Sequence, residues 1–579
     1  DHPPEVMHWL APALMGSLMF RQPDHPLIEE WVGKGMKVLR TVSENAVRIR
    51  VFLNLALFRL FQGDLTGTQN LITVFQESGN ESISPVGALL FQSVNSFYCW
   101  QSGRFDQCIA TSLEAVTLMK KYGIPMLHPL LHGAIGAINS GDMQISERLL
   151  GKADPVLSGA GWWAKALYQV VQGWFVLSKK DFVRAKAHAE EGLDAGERAG
   201  CPATLSVHHL QCAVSHHLLG KKNTAASHLR QAFELSRRYR TRQVEFGCRL
   251  AKAEFALSKK DPPQFEKCLE RAFRLGRENG YITTYFWRPD MMATLCTEAL
   301  DRGIEIEYAQ HLIRQRRLAP EKPPRHIVHW PWPFKIRTFG GFSLHIDGEP
   351  FFFKGKAGMR LFSLLKYLLS AKDHRIADFQ IQDDLWPESD GDRATNAFRV
   401  ALHRLRKLLG DPEAILRRSG QVSLNEWKCW TDVWALADIY REAESLPKRS
   451  ESAPQARDLA QRLLHLYQGP FLPGEEAYWA IHTRQSSTLR FVRLIEAFTG
   501  VIAQSGDNST AVDILNRSIA AEPFDEHLHF LLMETFHRIG ETYKAIRIFE
   551  HYQENLFSGC GVSPSERITR LYEKMKREQ

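Results

Sequence analysis

Residues 392–410 read DRATNAFRVALHRLRKLLG, and the reading of this stretch decides the fold around it. Asp392 suits an N-cap and Gly410 a C′ position, so the pattern predicts one helix over 392–410. Phe398, Leu402, Leu405 and Leu409 recur at helical spacing and form one apolar stripe. The other faces carry Arg393, Arg399, Arg404, Arg406 and Lys407, with Asn396 and His403 among them and no acid between them. An apolar stripe backed by Arg and Asn side chains suits a helix that enters the DNA major groove, where such groups reach base edges. The same pattern also describes a solvated basic face on an ordinary helix, so the flanks must decide.

Upstream, Phe342–Ile346 and Phe351–Lys354 are β-rich runs around Asp347-Gly348, a hairpin signal that Glu349-Pro350 can lengthen. A helix is predicted over Ala357–Leu369, with Phe362, Leu365 and Leu369 at helical spacing. A second is predicted over Ile376–Trp386, followed by a turn-rich loop at 387–392. Downstream, Ile415–Arg418 and Val422–Leu424 read as two short strands around Ser419-Gly420, a wing over 415–424. The order is strands, three helices, wing.

In this order, Gly341–Asp347 with Gly348, the Ile376-to-Trp386 segment, RVALHRLRKLLG and the RRSG wing resemble the winged helix-turn-helix of the OmpR/PhoB type. The variant is the one found in the antibiotic regulatory protein (SARP) family of bacterial transcriptional activators. The resemblance implies a DNA-binding domain over 334–430. By position, Asn396, Arg399, Val400, His403 and Arg404 then face the bases. Lys356, Arg360, Arg393, Arg406, Lys407, Arg417 and Arg418 then hold phosphates or serve the wing. Val422 and Gln421 depart from the family, which has an aromatic and a second glycine there. The segment from Asp373 to Asp392 holds seven acids against three basic residues when Lys372 is included. With the resemblance, this charge makes Trp386, Glu388, Asp390 and Asp392 candidates for a contact with RNA polymerase.

The chain has 579 residues, enough for three or four domains, and a net charge of +8. That mild positive balance suits one nucleic-acid face without requiring it. Nine cysteines are scattered without a C-x-x-C pair, which fits a reduced cytoplasm better than a disulfide framework. No apolar run approaches the ~20 residues of a membrane helix, and no signal peptide is visible. The chain starts at Asp1 in a helical pattern, as a piece of a longer polypeptide would.

Over 1–319, turn signals recur at Gly63-Asp64, Gly103-Arg104, Gly141-Asp142, Lys180-Asp181, Gly220-Lys221 and Lys260-Asp261, spaced 40, 38, 39, 40 and 40 residues apart. An apolar helix precedes each turn and an Ala-rich one follows, which predicts a helical solenoid of tetratricopeptide (TPR) type. In period and pattern it resembles the sensor domain of maltose-regulator-type activators. A small-molecule or protein inducer is the functional reading, and a scaffold the plain one. Phe97, Tyr98, Trp100, Trp162, Trp163, Tyr168 and Trp174 are expected mainly as inter-helix core. His208, His209, His216 and His217 do not have the i, i+4 spacing of a compact metal site. Residues 320–333 carry five prolines and read as a solvated linker, with Arg314, Arg316, Arg317, Lys322 and Arg325 nearby and Trp330 and Trp332 packing on a neighbour.

From 431 to 579 the pattern is helical, and Gly506-Asp507 and Gly540-Glu541 lie 34 residues apart. Tyr467-x-Gly469-Pro470-Phe471-Leu472, Glu522-Pro523-Phe524-Asp525-Glu526, the Leu532-Met533 pair and Gly561-Val562-Ser563-Pro564-Ser565 resemble the bacterial transcriptional activator domain of the SARP family. That resemblance implies dimerisation and partner contact.

No phosphate loop, nucleophile elbow, zinc helix or dinucleotide loop occurs. No catalytic residue, cofactor or metal is expected. If the intact protein is an ATP-dependent regulator, its ATPase lies upstream of Asp1. The expected fold is mainly α: a solenoid, a winged helix with small sheets, and a second TPR-like array. The expected function is a sequence-specific transcription regulator on double-stranded DNA, as a homodimer or in tandem. The alternative is a protein-interaction adaptor whose winged helix docks protein.

Overall fold

The computed structural model describes residues 3–77, 83–327, 329–371, 375–447 and 449–578, without the side chains of 4 and 355–357. The chain is mainly α and divides into two compact units, Asp1–Glu321 and Lys322–Gln579.

The described part of the first unit is built of α-helices alone, from Pro4–Arg21 to Ile306–Arg316. The predicted turns at 63, 103, 141, 180, 220 and 260 all sit at positive φ. That left-handed step caps one helix and reverses the chain into the next. Glycine takes it freely. Lys180 and Lys260 take it at φ 62 and 55, against side-chain sterics. A second series of left-handed residues, Gly123, Gly200, Arg240 and Gly280, closes four of the intervening helices.

Two kinds of helix alternate. Leu127–Ser140 is buried on almost every face, as is most of Pro202–Leu218. Met143–Leu157 and Lys222–Arg238 bury only a stripe. The first kind is inner and the second outer, as all-round apolar and single-stripe patterns require. The non-helical segment 281–287 is drawn among the hairpin turns. Tyr281 Oη donates to Gly63 O at 3.0 Å, and Thr283 Oγ1 to Asn139 Oδ1 at 3.0 Å. Arg316, expected beside a solvated linker, is half-buried instead. Its guanidinium donates to Ile282 O and Asn139 O, and desolvation lowers its pKa to about 9.

In the second unit, strands β1 (Phe334–Arg337), β2 (Ser343–Ile346) and β3 (Glu349–Phe351) precede helix α1 (Gly355–Leu369). Then come β4 (Ile376–Ala377), α2 (Asp378–Leu385), α3 (Gly391–Leu409), β5 (Ile415–Arg418), β6 (Gln421–Leu424) and β7 (Cys429–Thr431). One sheet has the order β3-β2-β1-β7 and the other β4-β6-β5. Ile346 pairs with Glu349, and Asp347 and Gly348 have φ 50 and 93, so the first hairpin is a tight two-residue turn not lengthened by Glu349-Pro350. Ile376 is a strand residue paired with Val422, not the start of a helix. Its β-branched side chain enters the core beside Ile381, Phe398, Leu402 and Leu405.

The helices α4 (Asp432–Glu444), α5 (Ala453–Leu466), α6 (Tyr478–Gln504), α7 (Asn508–Ala521), α8 (Glu526–Arg538), α9 (Thr542–Cys560) and α10 (Glu566–Arg577) complete the unit. The motifs singled out between 467 and 565 are its joints. Gly340 N donates to Pro470 O, and Leu472 N to Thr338 O, at 3.0 and 2.9 Å. Tyr467 stacks on Phe491 with centroids 4.1 Å apart and donates to Glu522 Oε1 at 2.5 Å. Ser565 N donates to Glu526 Oε2 at 2.8 Å. Asp432 is 1% exposed, and its carboxylate accepts from Phe339 N at 2.8 Å, from Thr338 Oγ1 at 2.7 Å and from Thr338 N. Among the described residues of 322–333, Pro324, Arg325, Ile327, Trp330 and Trp332 are packed rather than free. Arg325 is 8% exposed and ion-paired with Glu426 and Asp438, while Trp330 and Trp332 are buried.

Candidate nucleic-acid interface

Helix α3 begins two residues earlier than an Asp392 cap predicts. Asp390 is the N-cap, its Oδ1 accepting from Arg393 N at 3.0 Å, and Asp392 stands in the first turn. The first turn tolerates an acid near the helix dipole, but only the residue with extended backbone can cap. Gly410 closes the helix at φ 74.

Ala394, Phe398, Ala401, Leu402, Leu405 and Leu409 are the buried face. Opposite them, Asn396, Arg399, Val400, His403, Arg404 and Lys407 are exposed at i, i+3/i+4 spacing and form one stripe. From 396 to 407 the stripe runs about 16 Å at 1.5 Å per residue, comparable to the ~12 Å width of the major groove. Among the described residues, the side chains of Arg399, His403, Arg404 and Lys407 have no hydrogen-bond or ion-pair partner. Arg393 lies at the N-terminal end, exposed and 3.5 Å from the Asp390 cap.

Two predicted phosphate ligands are engaged elsewhere. Arg406 is half-buried, and its Nε and Nη2 donate to Ile415 O at 3.0 and 2.7 Å. Desolvation and the neighbouring Arg417 lower its pKa. It clamps α3 to the first strand of the hairpin β5–β6. Arg417 donates through Nε and Nη2 to Asp378 Oδ2 at 2.9 and 2.6 Å, tying that hairpin to α2. Sequence reading missed Asp378, because its partner lies 39 residues away. Arg418 is exposed at the hairpin tip, where Ser419 and Gly420 have φ 51 and 72. Arg360 is exposed on α1, and the side chain of Lys356 lies outside the described residues.

The acidic turn is less uniform than its charge implies. Trp386 is half-buried against Phe398, with ring centroids 6.4 Å apart, so it belongs to the core. Glu388 and Asp392 are exposed, Asp390 is occupied as cap, and Asp373 lies outside the described residues. Thr395 Oγ1 donates to Gln382 Oε1 at 2.8 Å and holds α2 against α3.

Residues 431–576 match the family model of the bacterial transcriptional activator domain. The regulatory protein AfsR of Streptomyces griseus is 26% identical over 242 residues, which are 42% of this chain and 24% of that protein. The chain thus spans about a quarter of the length of the curated relative it matches. Among solved structures, Mycobacterium tuberculosis EmbR in complex with a low affinity phosphopeptide is 19% identical. It covers 43% of this chain and 66% of that one at a TM-score of 0.30. A Rap protein complexed with competence and sporulation factor is 10% identical, over 70% of this chain and 99% of that one, at a TM-score of 0.40. No helix among the described residues is long and apolar enough to cross a membrane.

Proposed function

We propose that the chain is a sequence-specific DNA-binding regulator of transcription, an activator of the SARP type. In this reading residues 334–430 are a winged helix, α3 enters the major groove, and β5–β6 is the wing. The observation that carries the reading is the stripe of α3 from Asn396 to Lys407, exposed and without acidic partners among the described residues. Cations left in water on one helix face cost nothing to hold and are ready for phosphates and base edges. Arg399, His403, Arg404 and Asn396 read bases, Arg preferring G and Asn preferring A, with Val400 as an apolar contact. Lys407, Arg393, Arg360 and Arg418 hold phosphates. Arg406 and Arg417 position α3 and the wing rather than binding DNA themselves. The match over 431–576 and the likeness to AfsR support a regulatory role for the helices that follow. Glu388 and Asp392 are the exposed acids through which RNA polymerase would be met.

Selection of genomic fragments by the full chain at near-physiological salt tests this. Enrichment of a short motif is the expected result. Binding without an enriched motif, or binding indifferent to salt, overturns it and leaves protein docking as the use of this surface.

A further inference from the structure

The inner helices of the first unit leave a cavity of about 200 Å³ between them. Six helices, Pro4–Arg21, Asn45–Gln62, Pro85–Gln101, Leu127–Ser140, Trp162–Ser178 and Pro202–Leu218, each give side chains to its wall. Leu53, Leu57, Phe61, Leu90 and Leu167 supply aliphatic and aromatic surface that is only partly buried, although it lies in the interior of the array. Phe97, Trp100 and Trp163 add ring faces. Tyr285 also lines it, carried in by segment 281–287 and set edge-on to Trp100 with centroids 4.8 Å apart. The next residue, Phe286, has φ 57, which a bulky aromatic adopts only when its surroundings impose it.

Two properties of the wall define what would fill it. The first is charge. No Asp, Glu, Lys or Arg lines the cavity among the described residues. Its histidines are kept neutral at physiological pH by burial, which lowers His128 and His208 to about 4 and His132 to about 3. An ion entering such a wall loses its hydration without a counter-charge. The second is size. A dry apolar cavity of about 150 Å³ accepts benzene, and drug-sized ligands need roughly 300 Å³ or more. A space of about 200 Å³ therefore takes one or two rings and excludes a peptide or an oligosaccharide. Trp100 Nε1, His128 Nε2 and His208 Nδ1 are buried in this region without a hydrogen-bond partner among the described residues. They are polar groups that a small rearrangement could offer to one hydroxyl or carbonyl.

We propose that the first unit binds a neutral, ring-containing apolar molecule of one or two fused rings in this cavity, with Tyr285 against it. The site stands independently of DNA binding by the second unit.

Calorimetric titration of the full chain with 1-naphthol, and with naphthalene-1-sulfonate as its charged counterpart, tests the proposal. Saturable binding of one naphthol per chain is expected, with the sulfonate at least about tenfold weaker, a difference of ~1.4 kcal/mol. Leu57→Trp and Leu90→Trp fill the cavity from two different helices, and each should weaken naphthol at least about tenfold. Hydrogen exchange of the unsubstituted chain is independent of how these variants fold. Naphthol should slow it in 45–62, 85–101 and 281–288. No saturable binding, equal binding of the sulfonate, undiminished binding by both folded variants, or no slowing in those segments overturns the proposal.

Discussion

Helix α3 and the first unit's cavity handle ionisable side chains in opposite ways. On α3, Arg399, Arg404 and Lys407 stand in water, charged and without a partner among the described residues. In the cavity, His132 and His208 stand out of water, 6% and 2% exposed, and burial keeps them uncharged. The first arrangement suits a polyanion, and the second rejects any ion. The difference follows from the solvation cost of charge: an exposed cation retains its hydration, whereas a buried imidazole gives up its proton.

Acid should expose the largest difference between the two regions. His132 and His208 have folded pKa values of about 3 and about 4, below the unfolded value of about 6.5. The unfolded chain therefore binds more protons between about pH 6.5 and 4. The stability these residues support is complete above that window and is lost as pH falls through it, at about 1.4 kcal/mol per pH unit for each histidine. Hydrogen exchange followed from pH 7 to 4.5 should show 127–140 and 202–218 opening before the core around Phe398. Simultaneous opening of both would remove the contrast.

Salt should act in the other direction. With the four exposed cations assigned to phosphates, affinity for DNA should fall roughly 10²-fold between 50 and 200 mM salt, as counterions are released. Binding of naphthol in the cavity should not change. A flat salt response for DNA, measured by fluorescence anisotropy, would show that the α3 stripe does not meet a polyanion.

Neighbouring arginines on α3 divide the same contrast more finely. Arg404→Ala should cost about 1–3 kcal/mol in DNA binding if the contact is bidentate, and leave the melting temperature unchanged. Arg406→Ala should lower stability by about 1–3 kcal/mol, because Ile415 O loses both of its donors. If the two variants exchange these effects, the division into free and engaged arginines is wrong. The smallest effect is at the helix start. Asp390→Ala should destabilise by about 1 kcal/mol as the cap is lost, and Asp392→Ala by only a few tenths. Chemical denaturation of both variants separates them.

Much of the architecture was readable from local pattern. The apolar stripe Phe398, Leu402, Leu405, Leu409 repeats at the helical period, so the buried and exposed faces of α3 could be told apart. The turns at 63, 103, 141, 180, 220 and 260 could be counted, because a left-handed step leaves a Gly or a Lys-Asp pair behind it. The motifs at 467–472, 522–526 and 561–565 were visible as motifs. That they are joints, Tyr467 to Glu522 and Glu526 to Ser565, was not. The start of α3 was misplaced by two residues because Asp390 and Asp392 are equally good caps by composition. Only the extended backbone at 390 distinguishes them.

By itself the sequence determined periodicity: which segments are helices, how they repeat, and which face of α3 can carry charge into solvent. These depend on residues three, four or about forty apart, whose relation is written along the chain. Tertiary structure alone decided which arginines remain available. Arg417 is taken by Asp378, 39 residues away, while Arg404 meets no partner among the described residues. It alone brought Phe20, Leu57, Trp100, His208 and Tyr285 around one space. Such convergence depends on how the hairpins stack and on a loop drawn in between them, and no local propensity encodes that.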